Sequence, residues 1–149
     1  MFILLLDLDG VLEITPSWKS TIDLDDGFPD FNPTAVQSLN KILDHIDCRI
    51  VLTASHRSRF SDNKWVNIFK RRGVNIDIIY KLEDNKDNLT RKEEVLNWIN
   101  ENPDVDYVII DDDKTLNDDL NNFVMTLPMI GLTEVEADSV IRVFDNLRK

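Results

Sequence analysis

One feature of the sequence leaves few folds open: an apolar run at residues 2–6 stops abruptly at Asp7, Leu8, Asp9 and Gly10. The run does not alternate between polar and apolar residues, so it predicts a β-strand that is buried on both faces. Such a strand needs helices on both sides of its sheet. We therefore predict an α/β protein in which the first strand carries two aspartates to one edge of a sheet.

The rest of the chain repeats this alternation of strand and helix. Four more apolar runs predict strands at residues 50–52, 76–80, 107–110 and 123–127. Amphipathic segments predict helices that begin near residues 33, 62, 91 and 134. Thr90 and Thr133 each begin a Thr-x-x-Glu capping box. These elements predict one three-layer α/β/α domain over residues 1–149, with a five-stranded, mainly parallel sheet and right-handed crossovers.

Polar and charged residues follow three of the predicted strands and open one helix. They are Asp7 and Asp9 after the first strand, Thr53, Ser55, His56 and Arg57 after the second, Arg91 and Lys92 at the start of the third helix, and Asp111, Asp112 and Asp113 after the fourth strand. In parallel sheets, ligands gather at the carboxyl ends of the strands. We therefore expect these groups to converge on one edge of the sheet.

This set of groups suits phosphoryl chemistry around a magnesium ion. Carboxylates from separate strand ends repel one another unless a cation lies between them, and Mg²⁺ takes one or two carboxylates together with a substrate phosphate. Asp7 could attack such a phosphate and form an aspartyl-phosphate. Asp9 could give a proton to the leaving oxygen and later take one from water. Gly10 allows the sharp turn that follows.

In order and spacing, these residues resemble the four motifs of the haloacid dehalogenase (HAD) superfamily of phosphohydrolases. The matching positions are Asp7-Leu8-Asp9-Gly10-Val11 for the first motif, Thr53 for the second, Arg91 or Lys92 for the third, and Asp111-Asp112 for the fourth. The resemblance implies a Rossmann-like fold with strand order 5-4-1-2-3, phosphatase activity and Mg²⁺ as the cofactor.

A closer resemblance is to a branch without a lid domain, which includes the phosphatase-like domain of Swiss Army knife RNA repair proteins. It rests on residues 50–57, residues 91–99 and the segment Gly131-Leu132-Thr133. Two positions depart from that branch, since His56 stands where Trp is usual and Lys92 where Gly is usual. The second departure leaves open whether Arg91 or Lys92 offsets the charge of the phosphoryl group, and the register favours Arg91.

The resemblance also implies roles for the individual residues. Asp7 would be the nucleophile and a metal ligand, and Asp9 would be the general acid and base, with its backbone carbonyl on the metal. Thr53 would hold a phosphoryl oxygen. Asp111 would complete the metal site, with Asp112 as a further ligand or in support of one. Contacts with the substrate are expected from Gly10, Ser55, His56 and Arg57.

The spacing of the motifs leaves little room for a lid domain. About 40 residues separate Asp9 from Thr53, and residues 11–31 allow only a hairpin flap. An open site suits a large substrate, such as a phosphoprotein or a nucleic-acid end with a 3′ or 5′ phosphate, because no lid is needed to exclude water around it. Two alternatives stay open: a small-metabolite phosphatase with a partner subunit as its lid, and a non-catalytic acidic module that binds a partner protein.

Charge and composition bear on the binding partners and on the cellular compartment of the protein. The net charge is −11, which argues against general nucleic-acid binding. Between Arg49 and Lys92, however, the net charge is +6, and the basic residues Arg57, Arg59, Lys64, Lys70, Arg71 and Arg72 could steer a polyanion to the site. No run approaches the roughly 20 apolar residues of a membrane span. With a single cysteine and no signal-peptide pattern, the chain is expected to be cytoplasmic.

Overall fold

A computed structural model describes residues 1–14, 22–117, 120 and 122–149. Within these residues the strands are β1 Phe2–Leu6, β2 Cys48–Leu52, β3 Ile79–Lys81, β4 Asp106–Asp111 and β5 Phe123–Met125. The α-helices are α1 Pro33–His45, α2 Asp62–Arg71, α3 Arg91–Glu101 and α4 Glu134–Leu147. Short 3₁₀ turns lie at Arg57–Arg59 and Lys114–Asn117.

The five strands form one sheet in the order β3-β2-β1-β4-β5. Each neighbouring pair is parallel. This is the expected order 5-4-1-2-3 read from the opposite edge, so the predicted α/β fold is confirmed. β1 lies at the centre of the sheet, between β2 and β4, and its carboxyl end is therefore flanked by the ends of both neighbours.

Helices cover the sheet on both faces. Along β1, Leu4 and Leu6 point to the face packed by α1, α2 and α4, whereas Ile3 and Leu5 point to the face packed by α3. All four side chains are buried. The continuous apolar run of β1 follows from this arrangement, because each side of a central parallel strand meets a helix layer.

Local capping chemistry begins the helices where the sequence predicts. The Asn32 side chain accepts hydrogen bonds from the backbone N–H groups of Thr34 and Ala35, next to Pro33 in the first turn of α1. Thr90 and Thr133 both form complete capping boxes. Each box satisfies N–H groups that would otherwise lack a partner at the helix start.

The edge strands are shorter than the apolar runs suggest. The third strand was expected at residues 76–80, but the ladder with β2 begins only at Ile79, opposite Ile50. Ile76 instead donates its backbone N–H to the carbonyl of Val74, and Ile78 is 47% exposed. Similarly, the run at 123–127 forms regular strand only as far as Met125. Pairing with a neighbour, which the apolar pattern does not encode, sets these limits.

The expected hairpin flap, residues 11–31, lies partly outside the described residues, which omit 15–21. In the described part, Asp23 and Pro29 form an antiparallel bridge. The described residues between the first and third motifs form no separate lid domain. Among them, no helix combines the length and the apolar character needed to cross a membrane.

Candidate active site

The carboxyl ends of β1, β2 and β4 bring Asp7, Thr53 and Asp111 together. The backbone N–H of Asp7 donates to the carbonyl of Ile110 at 3.1 Å, and that of Thr53 donates to the carbonyl of Leu6 at 3.0 Å. These bonds continue the sheet ladder past the ends of the strands. The register of the sheet therefore positions the first residue of the first, second and fourth motifs.

Three carboxylates form the centre of the site. Oxygen atoms of Asp7, Asp111 and Asp112 lie within 4.8 Å of one another. Asp7 is 5% exposed and Asp111 is fully buried. Burial, followed by the charge of Asp111, raises the pKa of Asp7 to about 8. The same two causes raise the pKa of Asp112 to about 6. The cluster is thus unfavourable as a set of bare negative charges.

These donors fit a divalent metal ion. Carboxylate oxygens are hard ligands, and a cation among them would relieve both the repulsion and the burial of charge that raise the two pKa values. Asp7, Asp111 and Asp112 are the residues that would hold it. Asp113 stays close to this group, because its backbone N–H donates to Asp111 Oδ1 at 3.0 Å.

Arg91, at the start of α3, contacts this cluster with its guanidinium group. Its Nη1 lies 2.6 Å from Asp111 Oδ2 and 3.3 Å from Asp7 Oδ1. Its Nη2 donates to the Ser55 hydroxyl at 3.2 Å. Lys92 follows in the same helical turn and is half-buried, but it is not among the residues that line the cleft described below.

Asp9 lies on the exposed side of the site, opposite His56. Its carboxyl is 66% exposed, and Oδ2 lies 3.3 Å from Nε2 of His56. The hydrogen bond with His56 holds the pKa of Asp9 below its ordinary value. The His56 ring is in turn packed against Phe28 and Trp65, with ring centroids 5.5 and 6.4 Å apart. These contacts fix the orientation of His56 towards Asp9.

Thr53 presents a buried hydroxyl that no described group satisfies. The residue is fully buried, and its Oγ1 has no hydrogen-bond partner among the described residues. Buried polar groups almost always have partners, so such an atom at the edge of a candidate site needs an explanation. A ligand oxygen at the carboxyl edge of the sheet would supply the partner.

Gly10 permits the close approach of the first-motif loop to Asp112. It has φ +77, and a Cβ added to it would overlap the Asp112 carboxylate. Its backbone N–H donates to the carbonyl of Glu13 at 2.8 Å. The requirement for glycine here is therefore both conformational and steric.

Arg57, expected to contact the substrate, lies in the protein interior instead. The residue is 1% exposed. Its guanidinium donates to the carbonyls of Thr53, Ala54, Leu82 and Glu83 and forms an ion pair with Glu94. The role of Arg57 in this geometry is to tie the loop after β2 to α3, and a direct phosphate contact by Arg57 forms no part of our proposal.

Most of the basic stretch is also paired with carboxylates. The pairs, besides Arg57 with Glu94, are Arg59 with Asp23, Lys70 with Asp77, Arg71 with Asp25 and Arg72 with Asp26. Lys64 lies over the ring of Phe60. Three of the partner aspartates come from residues 23–26, outside the stretch counted in the sequence. The positive field expected from this stretch is correspondingly smaller.

A cleft of ≈ 670 Å³ opens beside the acidic cluster. Its lining includes Asp7, Arg91 and the aspartates at 111–113, together with residues 125–128. Lys114 and Thr115 complete its lining. Sequence reasoning missed residues 125–128, because an apolar run near a strand is ordinarily read as core. The sequence prediction extended the strand to residue 127, so it gave no sign that this end of the run is exposed.

Comparison with known families agrees with this geometry. Residues 3–137 match the family described as the HAD domain in Swiss Army Knife RNA repair proteins. No curated protein and no solved structure gives a significant match. The match covers β2–β5 and α1–α3 in full, all but the first residue of β1, the start of α4 and each of the four motifs. The family suggests a phosphohydrolase role, and the acidic cluster of this chain fits metal binding. The chain therefore belongs to the family of HAD domains found in Swiss Army Knife RNA repair proteins.

Proposed function

We propose that this chain is a Mg²⁺-dependent phosphomonoesterase that works through an aspartyl-phosphate on Asp7. The observation that carries the proposal is the group of three carboxylates, Asp7, Asp111 and Asp112, of which the first two are buried and in contact with Arg91. A purely structural acidic cluster would be expected to lie in solvent, where its repulsion is screened. Here two of the three carboxylates are buried and the third, Asp112, is half-buried, at the edge of the sheet where ligands bind.

The residues divide the reaction between them. A carboxylate oxygen of Asp7 attacks the phosphorus, a new O–P bond forms, and the bond to the leaving oxygen breaks. Asp9 gives its proton to the leaving oxygen. It then takes a proton from a water molecule, which attacks the phosphorus and breaks the bond to Asp7. Inorganic phosphate leaves, and both carboxyl groups return to their starting states.

The surrounding groups support these steps. Arg91 donates hydrogen bonds to the phosphoryl oxygens and offsets their charge, and the Thr53 hydroxyl donates to one of them. A bound Mg²⁺ would polarise the phosphoryl group and neutralise developing charge. The negative charge of a bound phosphate would raise the pKa of Asp9, which favours the protonated form needed for the first step.

We propose a nucleic-acid end that carries a 3′ or 5′ phosphate as the substrate. The family description refers to RNA repair proteins. The described residues also form no lid domain, and the cleft is open to solvent. Because the basic stretch is largely paired, recognition is expected to depend on contacts near the reacting phosphate more than on long-range attraction.

The test is a panel of phosphomonoesters that includes oligonucleotides with 3′ or 5′ phosphate ends, with and without Mg²⁺. Turnover should require Mg²⁺, and the Asp7→Asn variant should show no turnover. Intact-mass measurement after acid quenching should detect phosphate on the wild type only. Asp106→Asn, at the opposite end of β4, is the matched control. Turnover that survives in Asp7→Asn would exclude the aspartyl-phosphate, and oligonucleotide ends cleaved no faster than p-nitrophenyl phosphate would exclude the proposed substrate.

A further inference from the structure

Apolar side chains are exposed directly beside the acidic cluster. Met125 is 43% exposed and Leu127 is 56% exposed, and both line the same cleft as Asp7. Pro128 lies next to them in the lining. We call these three residues the apolar wall. Exposed apolar side chains that are grouped beside a cleft mark binding sites more often than isolated ones do.

The alternation of the backbone explains why the wall faces the cleft. Val124 and Thr126 are buried, whereas Met125 and Leu127 are exposed, as expected when successive side chains of an extended chain point to opposite sides. The buried Thr126 anchors the segment to the site. Its backbone N–H donates to the carbonyl of Asp111 at 2.9 Å, and its hydroxyl donates to the carbonyl of Gly10 at 2.8 Å.

A second anchor holds the far end of the wall. Gly131 donates its backbone N–H to the carbonyl of Leu127 at 2.7 Å, and Leu132 donates to the carbonyl of Val11 at 2.9 Å. Gly131 has φ +78, and a Cβ there would lie 2.7 Å from the Val11 oxygen. The wall is therefore held against the first-motif loop at both ends. A surface that is already held in place loses little entropy when a ligand binds to it.

The cleft is larger than a phosphate group requires. Its ≈ 670 Å³ lies within the range of clefts that hold whole small molecules, roughly 300–1,000 Å³. The polar part of the lining, with Asp7 and Arg91, suits the phosphoryl group. The apolar wall lines the same cleft and would lie against the group that is attached to that phosphate. Sugar hydroxyls would lose hydrogen bonds to water against such a wall, whereas a flat ring would gain from burial.

We propose that the apolar wall is a subsite for an aromatic ring in the leaving group, of the size and shape of a nucleobase. Methionine sulfur makes favourable contacts with aromatic rings, and its flexible side chain adapts to more than one ring. This inference rests on the proposed function, since it assigns the part of the substrate beyond the reacting phosphate. It predicts that, among phosphomonoesters that release the same type of alcohol, those with an aromatic ring are preferred.

The experiment compares adenosine 5′-monophosphate with ribose 5-phosphate, which release the same type of primary alcohol but differ in the ring. The wild type should favour the nucleotide in kcat/KM. A Met125→Ser/Leu127→Ser double variant should lower the ratio of the two kcat/KM values by roughly 10-fold or more, as expected when apolar contacts are removed from a pocket. Val135→Ser is the control, because Val135 is 70% exposed on α4 and does not line the cleft.

A binding measurement separates this inference from the proposed function. Kd values for the same two compounds can be measured by calorimetry in the Asp7→Asn background, where turnover is not required. In that background, Met125→Ser/Leu127→Ser should weaken binding of the nucleotide more than binding of ribose 5-phosphate. If the whole phosphomonoester panel, oligonucleotide ends included, shows no turnover but the Kd difference holds, the subsite stands and the proposed function fails. An unchanged ratio and unchanged Kd values would overturn the subsite. So would a double variant that changes only the oligomeric state, since the wall would then be a protein interface.

Discussion

Nη1 of Arg91 lies 2.6 Å from Oδ2 of Asp111, and this contact joins the start of α3 to the end of β4. The same nitrogen lies 3.3 Å from Asp7. Arg91 is thus held between two buried carboxylates from different strands. It compensates part of their charge, and in our proposal it would donate a hydrogen bond to a phosphoryl oxygen near Asp7.

Replacement of Arg91 should affect catalysis more than replacement of Lys92. We expect Arg91→Ala to lower kcat/KM by roughly 100-fold or more, because a donor to the transferring phosphoryl group is lost. Arg91→Lys should recover part of the loss, since it keeps the charge but not the two-pronged geometry. Lys92→Ala is the matched comparison, with an expected loss of less than about 10-fold. Steady-state kinetics check this order, and a larger effect from Lys92→Ala would reverse our assignment.

Thr53→Val should separate function from stability. The Thr53 hydroxyl is buried and has no partner among the described residues. A valine of the same shape should therefore change the free energy of unfolding by less than about 1 kcal/mol. If the hydroxyl holds a phosphoryl oxygen, kcat/KM should still fall by roughly 10- to 100-fold, and Thr53→Ser should restore most of it. Denaturant unfolding and kinetics on the same preparations give both quantities. A valine variant with full activity would contradict the proposed contact.

Glycine at position 10 should be needed for more than its backbone conformation. A Cβ on Gly10 would overlap Asp112, whereas a Cβ on Gly73, which also has positive φ, would meet its nearest atom at 3.7 Å. Both alanine variants should lose roughly 1–3 kcal/mol from backbone strain. Only Gly10→Ala should also lower the affinity for Mg²⁺, by displacing Asp112. Equal metal affinity in the two variants, measured by Mg²⁺ titration, would count against a role for Asp112.

The stability of the protein in the absence of Mg²⁺ should depend on pH. Because the pKa of Asp7 is raised to about 8 by burial and by Asp111, the folded chain keeps a proton that the unfolded chain has lost. Between about pH 4 and pH 8 the folded state therefore binds more protons, and stability falls as pH rises. Unfolding temperatures in chelator should decrease from pH 5 to pH 8, less steeply for Asp7→Asn. Added Mg²⁺ should raise the unfolding temperature more at pH 8 than at pH 5, since the carboxylates that bind a metal must be ionised. The same fall in unfolding temperature with pH in the wild type and in Asp7→Asn would refute the raised pKa of Asp7.

The buried ion pair between Arg57 and Glu94 should contribute strongly to folding. Their side chains are 2% and 10% exposed. Glu94→Ala leaves the Arg57 charge buried without its partner and should destabilise the protein by roughly 3–5 kcal/mol. Asp25→Ala removes the exposed partner of Arg71 and should cost less than about 1 kcal/mol. Denaturant unfolding checks both values. Similar losses in the two variants would mean that the Arg57 side chain finds water or another partner.

Periodicity and capping chemistry were enough to predict most of the fold. The buried run of β1, the Asn32-Pro33 start of α1 and the two capping boxes act through neighbours in the chain, so they can be recognised without tertiary structure. The limits of β3 and β5 could not be recognised in this way. They depend on where a ladder partner is available, which is a property of the assembled sheet.

For the site, the sequence by itself determined that Asp7, Asp9, Thr53 and Asp111 follow strands of one parallel sheet, because strand ends and motif order are local and linear properties. Only the tertiary structure decided which charges remain available there. Arg57 turns inward to Glu94, and aspartates from residues 23–26 pair with the basic stretch, because ion pairs form between groups that are distant in the chain but adjacent in space. The same reason applies to the apolar wall, whose closeness to Asp7 depends on how the segment after β5 packs against the first-motif loop.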